Sequence, residues 1–202
     1  KVPSSVTSET SMPPLVPDDA PEFVKSVTGE ILARHGDKLP VSKMPADGKF
    51  PLGTTCYEKR NIAVKIPAWE PDLCIQCGRC SLVCPHAAIR IKAYGESDLD
   101  KAPGTFKSAD AKGKDLKGMK FTVQVAPEDC TGCGACVVSC PAKEKDENKE
   151  PTGRHAINME LQEPLRESER ENYDFFLSLP ETDPSLYRRS TVKGSQFIKP
   201  LF

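Results

Sequence analysis

Nine cysteines carry the chemistry of this 202-residue chain, and eight of them fall into two blocks of identical spacing. The first block runs from Cys74 through Cys77 and Cys80 to Cys84, with Pro85 behind it. The second runs from Cys130 through Cys133 and Cys136 to Cys140, with Pro141 behind it. Both read C-x2-C-x2-C-x3-C-P, a run that ligates [4Fe–4S] clusters. Three thiolates within seven residues let one short loop wrap three corners of a cubane. Gly78, Gly132 and Gly134 suit a tight loop whose amides can approach the cluster sulfurs. The fourth cysteine sits on the following turn, where proline redirects the chain. Structural zinc usually takes four ligands from two separated C-x2-C knuckles, which leaves the crowded third cysteine and the proline unexplained. A disulfide framework is the weaker reading because the opening residues show neither an apolar secretory stretch nor a basic start. Clusters that move electrons and clusters that only hold the fold both fit the spacing.

The blocks resemble those of two-cluster ferredoxins, in which the fourth cysteine of each block ligates the other cluster. Carried over, the resemblance implies that cluster one takes Cys74, Cys77, Cys80 and Cys140. Cluster two then takes Cys130, Cys133, Cys136 and Cys84. Eight thiolates and two oxidised cores bring a chain of formal charge −1 to about −5 before reduction.

The elements that position these loops form an internal repeat. An offset of 56 residues takes Cys74 to Cys130, Cys84 to Cys140 and Pro71 to Pro127. Ahead of each block, residues 61–67 and 120–126 alternate, with Ile62, Val64 and Ile66 on one face and Phe121, Val123 and Val125 on the other copy's face; both predict half-buried strands. Behind each block, residues 88–92 and 156–161 predict a second strand. The second copy is delayed by the charged insertion 142–155, expected as a solvated loop. Two such halves related by a pseudo-twofold axis predict an α+β fold, a bacterial-type two-[4Fe–4S] ferredoxin-like domain flanked by irregular arms and short helices.

The expected organisation is an N-terminal arm and connecting segment over 1–60, the cluster domain over 61–162, and a C-terminal connecting segment over 163–202. Residues 1–20, rich in Pro, Ser and Thr, cannot build a core, so an ordered arm must lie on something. Residues 21–35 predict a helix with Phe23, Val27 and Ile31 on one face, Asp19 and Glu22 capping it and Gly36 ending it. Residues 163–187 read as helical, with Tyr173, Phe176, Leu177 and Leu186 packing inward. Residues 94–119 read as a solvated excursion, or alternatively as a rim whose Lys112 and Lys114 steer an acidic electron carrier. Cys56 is expected as a plain buried thiol, and His35, His86 and His155 as structural or surface residues. Trp69 is expected to shield a cluster by packing.

No apolar run approaches the length of a membrane span, and a charge of −1 gives no gross positive field for nucleic acid. No phosphate loop, nucleophile elbow or catalytic acid, base or nucleophile is evident, so any enzyme role is wiring.

Two further stretches, residues 53–69 with Tyr57-Glu58-Lys59-Arg60-Asn61 at their centre and residues 120–143, extend the likeness. Together with the first block and the tail 190–202 they resemble the electron-transfer region of the pyruvate:ferredoxin (or flavodoxin) oxidoreductase family, over roughly residues 50–202. The resemblance departs at Cys56. It implies decarboxylation of pyruvate on thiamin diphosphate to acetyl-CoA, with electrons passing through three [4Fe–4S] clusters to ferredoxin or flavodoxin. Two of those clusters would belong to this chain; the third, and the thiamin diphosphate, would belong to the rest of a longer polypeptide, expected to be homodimeric. A start at Lys1 and an end at Phe202 fit such a piece. A separate iron–sulfur subunit of a related 2-oxoacid oxidoreductase or other redox complex is the alternative. An oxygen-poor interior, cytoplasmic or within an organelle of an anaerobic eukaryote, is the expected compartment.

Overall fold

A computed structural model of the chain describes residues 15–198. The expectation that the arm wraps a surface falls, for residues 1–14, outside the described residues. Residues 15–59 and 60–198 belong to two compact units.

The first unit holds the expected helix in altered form. A π-helical turn, Val24–Thr28, runs into α1, Gly29–Leu32. The wider turn rotates the buried face, so Val24 and Val27 are enclosed while Ile31 is exposed. Phe23 meets the Phe50 ring edge-on, with centroids 5.2 Å apart. Arg34, at φ +63°, ends the helix two residues before Gly36. The amide of His35 then donates back to the Glu30 carbonyl at 2.8 Å. No side-chain cap forms at its start. Cys56 is exposed, contrary to the buried thiol expected from sequence. It lies in a 3-10 turn, Thr54–Tyr57, where its thiol donates to the Gly53 carbonyl at 2.9 Å.

The second unit contains strands β1 (Lys65–Trp69), β2 (Ile89–Tyr94), β3 (Ala109–Asp110), β4 (Lys120–Val125), β5 (Lys143–Lys145), β6 (Pro151–His155) and β7 (Ile157–Leu161). Short helices α2 (Arg79–Leu82) and α3 (Ala135–Val138) follow the two cysteine loops. α4 (Arg166–Ser178) and α5 (Val192–Ser195) complete it. β1 pairs antiparallel with β7, from Lys65 opposite Leu161 to Trp69 opposite Ile157. β2 pairs antiparallel with β4, and β3 lies on the far side of β4. The strand ahead of each cysteine block therefore pairs with the strand behind the other block.

β1 starts four residues later than the alternation suggested. Asn61, at φ +49°, turns the chain, and its amide donates to the Glu128 carbonyl while Val64 accepts from the Gln162 amide. Those bonds hold residues 61–64 outside the ladder, with Ile62 and Val64 exposed and Ile66 buried. Pro67 is tolerated because the β1–β7 sheet has only two strands, leaving each with a free edge. β4 is buried on both faces rather than one. It is the middle strand of its sheet, and α4 packs on it. Its polar Thr122 is satisfied there by donating to the Lys107 carbonyl at 2.8 Å. The insertion after the second block is a hairpin, β5 with β6, not a loop. The Asp146 carboxylate closes it, accepting from the amides of Asn148 and Glu150 at 2.9 Å.

α4 is shorter than the helical stretch expected, and Leu177 points to solvent although Phe176 is buried. Beyond it the chain covers the free edge of β2, where the Thr182 hydroxyl accepts from the Ala93 amide and donates to the Ala93 carbonyl. Lys92 pins the same segment from within. It is 2% exposed, donates to the carbonyls of Phe176 (3.1 Å) and Leu179 (2.7 Å), and pairs with Glu181 at 3.1 Å. Its ammonium thus adds to the Leu179 amide as a donor to the Phe176 carbonyl and places positive charge at the C-terminal end of α4. Lys92→Met keeps the stem but removes the charge, and should cost roughly 2–4 kcal/mol in chemical denaturation. A change below about 0.5 kcal/mol would show that the clamp adds nothing.

Residues 94–119 are more than a solvated excursion. β3 joins the sheet, Leu116 is buried, and Phe106 packs edge-on against Phe175 with centroids 4.8 Å apart.

Candidate iron–sulfur centres

The two cysteine loops share one backbone. In the first, Gln76 at φ +57° and Gly78 at φ +74° turn the chain back on itself; in the second, Gly132 at φ +72° and Gly134 at φ +75° do so at the positions 56 residues on. Each turn aims an amide at a thiol: Gln76 donates to Cys74 Sγ at 3.3 Å and Gly132 to Cys130 Sγ at 3.4 Å. Such donors stabilise sulfur carrying negative charge, and so favour a reduced cluster.

Gly132 needs its missing side chain twice over. The left-handed φ favours glycine, and a Cβ there would sit 3.0 Å from the Lys65 carbonyl. Gln76 accepts the strain because its side chain is fully engaged. Its Nε2 donates to the Asp110 carbonyl at 2.7 Å, and its Oε1 accepts from the Lys112 amide at 2.6 Å. This glutamine ties the first loop to the segment between the halves. Sequence reading missed it, since a lone glutamine 34 residues from its partner leaves no pattern.

The loops border two pockets, one beside each loop. Cys74, Cys77, Cys80 and Cys140 line the first, with Trp69, Ile91, Phe121 and Val123 among their neighbours. Cys130, Cys133, Cys136 and Cys84 line the second, with Ile89 and Met159. Each pocket thus takes three cysteines from one block and the fourth from the other. Trp69 is buried against the first pocket, where packing was expected of it. His86 borders the second, and His155 sits behind a cysteine, its Nδ1 3.0 Å from the Cys140 carbonyl. His35 lies 3.4 Å from Glu30 in the first unit.

Among the described residues no three His, Cys, Asp or Glu side chains converge on a point that could hold one metal ion. Four thiols bordering one pocket match the four ligands that a [4Fe–4S] cluster takes. Burial pushes the Cys80 thiol up to about 12 and the Cys136 thiol up to about 11, with the neighbouring thiols adding to both. Burial thus favours the protonated thiol at both, and holding iron as thiolates would release those protons.

A family model described as a 4Fe-4S dicluster domain matches residues 73–143, which contain both cysteine blocks. A second, named EKR and described as a domain of unknown function, matches residues 9–63, which include Glu58-Lys59-Arg60. The pyruvate-flavodoxin oxidoreductase of Nostoc sp. is 54% identical over 183 residues, 91% of this chain. That of Trichormus variabilis is 50% identical over 206 residues, 98% of this chain. The chain is similar over nearly its whole length to a segment of the pyruvate-flavodoxin oxidoreductases, and within it lies the match to the 4Fe-4S dicluster domain. The pyruvate:ferredoxin oxidoreductase of Moorella thermoacetica is 50% identical over 183 residues, 91% of this chain. The chain spans 15–17% of the length of these three oxidoreductases. The family resemblance read from residues 53–69, from both blocks and from the tail therefore holds over nearly the whole chain. It carries a 4Fe–4S dicluster ferredoxin-like domain of mixed helices and strands.

Proposed function

We propose that this chain is an electron relay: two [4Fe–4S] clusters passing single electrons within a larger polypeptide that oxidises pyruvate. The observation that carries the reading is the pair of four-cysteine pockets, each lined from both blocks. When bound, each cluster takes up and returns one electron. Cys74, Cys77, Cys80 and Cys140 would hold one, and Cys130, Cys133, Cys136 and Cys84 the other. The residues around them aim amides at sulfur and pack the helix after the first loop on β2 and that after the second on β7. A pseudo-twofold axis relating the halves is supported by the exchange of strands between them and by the matching loop conformations.

In this reading electrons come from oxidative decarboxylation of pyruvate to acetyl-CoA and CO2. Thiamin diphosphate and a third [4Fe–4S] cluster belong to the rest of the polypeptide. Ferredoxin or flavodoxin accepts the electrons, and the whole enzyme is a homodimer working in an oxygen-poor cytoplasm or organelle. Residues 1–60 and 163–202 serve as the connecting segments on either side of the cluster domain.

Iron and sulfide analysis under anaerobic conditions tests the core of the proposal. About eight of each are expected for the dicluster segment. Reduction with dithionite should give an EPR spectrum broadened by coupling between two paramagnets. Zinc in place of iron, or clusters that never reduce, would overturn it.

A further inference from the structure

We propose that Lys193 sets the reduction potential of cluster one, acting as a fixed positive charge delivered to the first cysteine loop by the C-terminal segment. The inference rests on the two-cluster reading above. Lys193 belongs to α5, more than a hundred residues beyond the loop it touches. The fit is close: a Cβ on Gly78 would lie 3.1 Å from the Lys193 Cα, and Ser81 of α2 donates to Gln196 at 2.8 Å. The Lys193 ammonium donates to the Lys112 carbonyl at 2.6 Å and reaches Gln76 Oε1 at 3.4 Å. It also stands 5.2 Å from the centre of the Phe121 ring, whose residue lines the first pocket.

Among the described residues no carboxylate comes within ion-pair distance of Lys193, although Asp115 and Lys193 border one common pocket. Burial pulls its ammonium below the ordinary lysine range, while Cys74 and Cys77 push it back up. The neighbouring Lys112 ammonium pulls the same way as burial, and both thiols lie within electrostatic reach of Lys193. Lys112 strengthens the field, its ammonium donating to the Cys74 carbonyl at 2.7 Å. Arg79 lines the first pocket, with Lys193 and Lys112 behind its loop, whereas neither lysine nor arginine lines the second, so positive charge gathers on the side of cluster one. A cation beside one cluster stabilises the extra electron there, so the two potentials are drawn apart, with cluster one the higher.

The test is an EPR-monitored redox titration of the full-length polypeptide, comparing the parent with K193M and K193R. K193M should lower the midpoint of one cluster by about tenfold in its one-electron equilibrium, about 59 mV. The other clusters should stay put, and K193R should remain within about twofold of the parent. The assignment is overturned if K193M leaves every midpoint within about twofold, or if K193R shifts as far as K193M. Should K193M fail to retain cluster one, K193Q, which keeps a donor for the Lys112 carbonyl, is read against the same two outcomes. A parent protein without reducible clusters defeats the relay itself; an unmoved midpoint in a fully loaded protein defeats only the role of Lys193.

Discussion

Replacing Cys80 and Cys140 together by alanine should remove no more cluster than replacing either alone. Both residues line the first pocket although 60 positions separate them. Either single variant should keep one intact [4Fe–4S] cluster of two, and C80A/C140A should keep the same one. C80A/C84A, whose substitutions lie four residues apart, should lose both, because those cysteines line different pockets. Mössbauer spectra of iron-57-enriched protein count intact clusters directly. Wiring of each cluster by its own block predicts the reverse pair of results: one cluster kept in C80A/C84A and none in C80A/C140A. The expected difference is half of the bound iron, the largest effect that any substitution here should give without changing the surface of the protein.

A single methyl group at position 194 should also have a large effect. A Cβ on Gly194 would lie 2.0 Å from the Arg188 carbonyl oxygen and 2.9 Å from Thr191 Oγ1. Both belong to the turn itself: Thr191 donates its hydroxyl to that carbonyl and accepts from the Gly194 amide at 3.0 Å. No side-chain rotation relieves contact with backbone, so the turn must open. Gly194→Ala should cost roughly 2–4 kcal/mol and lift α5 from the first cysteine loop. Loss of cluster one to a chelator should then quicken about tenfold, equivalent to about 1.4 kcal/mol of lost protection, while cluster two is unaffected. Gly104→Ala is the control, since a Cβ there meets nothing within 4 Å. Equal chelation rates for the two variants would show that the C-terminal turn shields nothing.

The cysteine loops were legible from sequence because their ligands are local: seven residues hold three thiols, and the repeat announces itself by its 56-residue offset. The crossing of the fourth thiol came from likeness to two-cluster ferredoxins, and the pockets group the cysteines in that way. What lies between was harder to read. Ile62, Val64 and Ile66 alternate like a strand, yet Asn61 and two long-range backbone bonds turn the first two outward. Alternation in β4 showed one apolar face, but Thr122 and Gln124 on the other are buried as well beneath α4. Periodicity reports chemical type, and burial depends on what arrives from elsewhere. The hairpin in the insertion hid for a related reason: its residues are charged on every side and its strands are held by backbone bonds. Lys193 and Gln76 left no trace because contacts across more than a hundred positions have no local spacing.

The exchange of strands between halves also dictates the order in which this protein can be made. Ile89 pairs with Val125, so β2 and β4 can zip together soon after both are synthesised. Lys65 must wait for Leu161, almost a hundred positions later. In the two-cluster reading, a nascent chain that has just finished the first block would own three thiols for one cluster and a lone fourth for a cluster whose loop does not yet exist. Loop closure over such a distance is slow relative to local pairing. Iron delivered at that moment would meet an incomplete cage open to oxygen. In the two-cluster reading neither cage is complete until Cys140 has emerged, so iron loading would be a late event of biosynthesis, and the β1–β7 pairing would close around it afterwards.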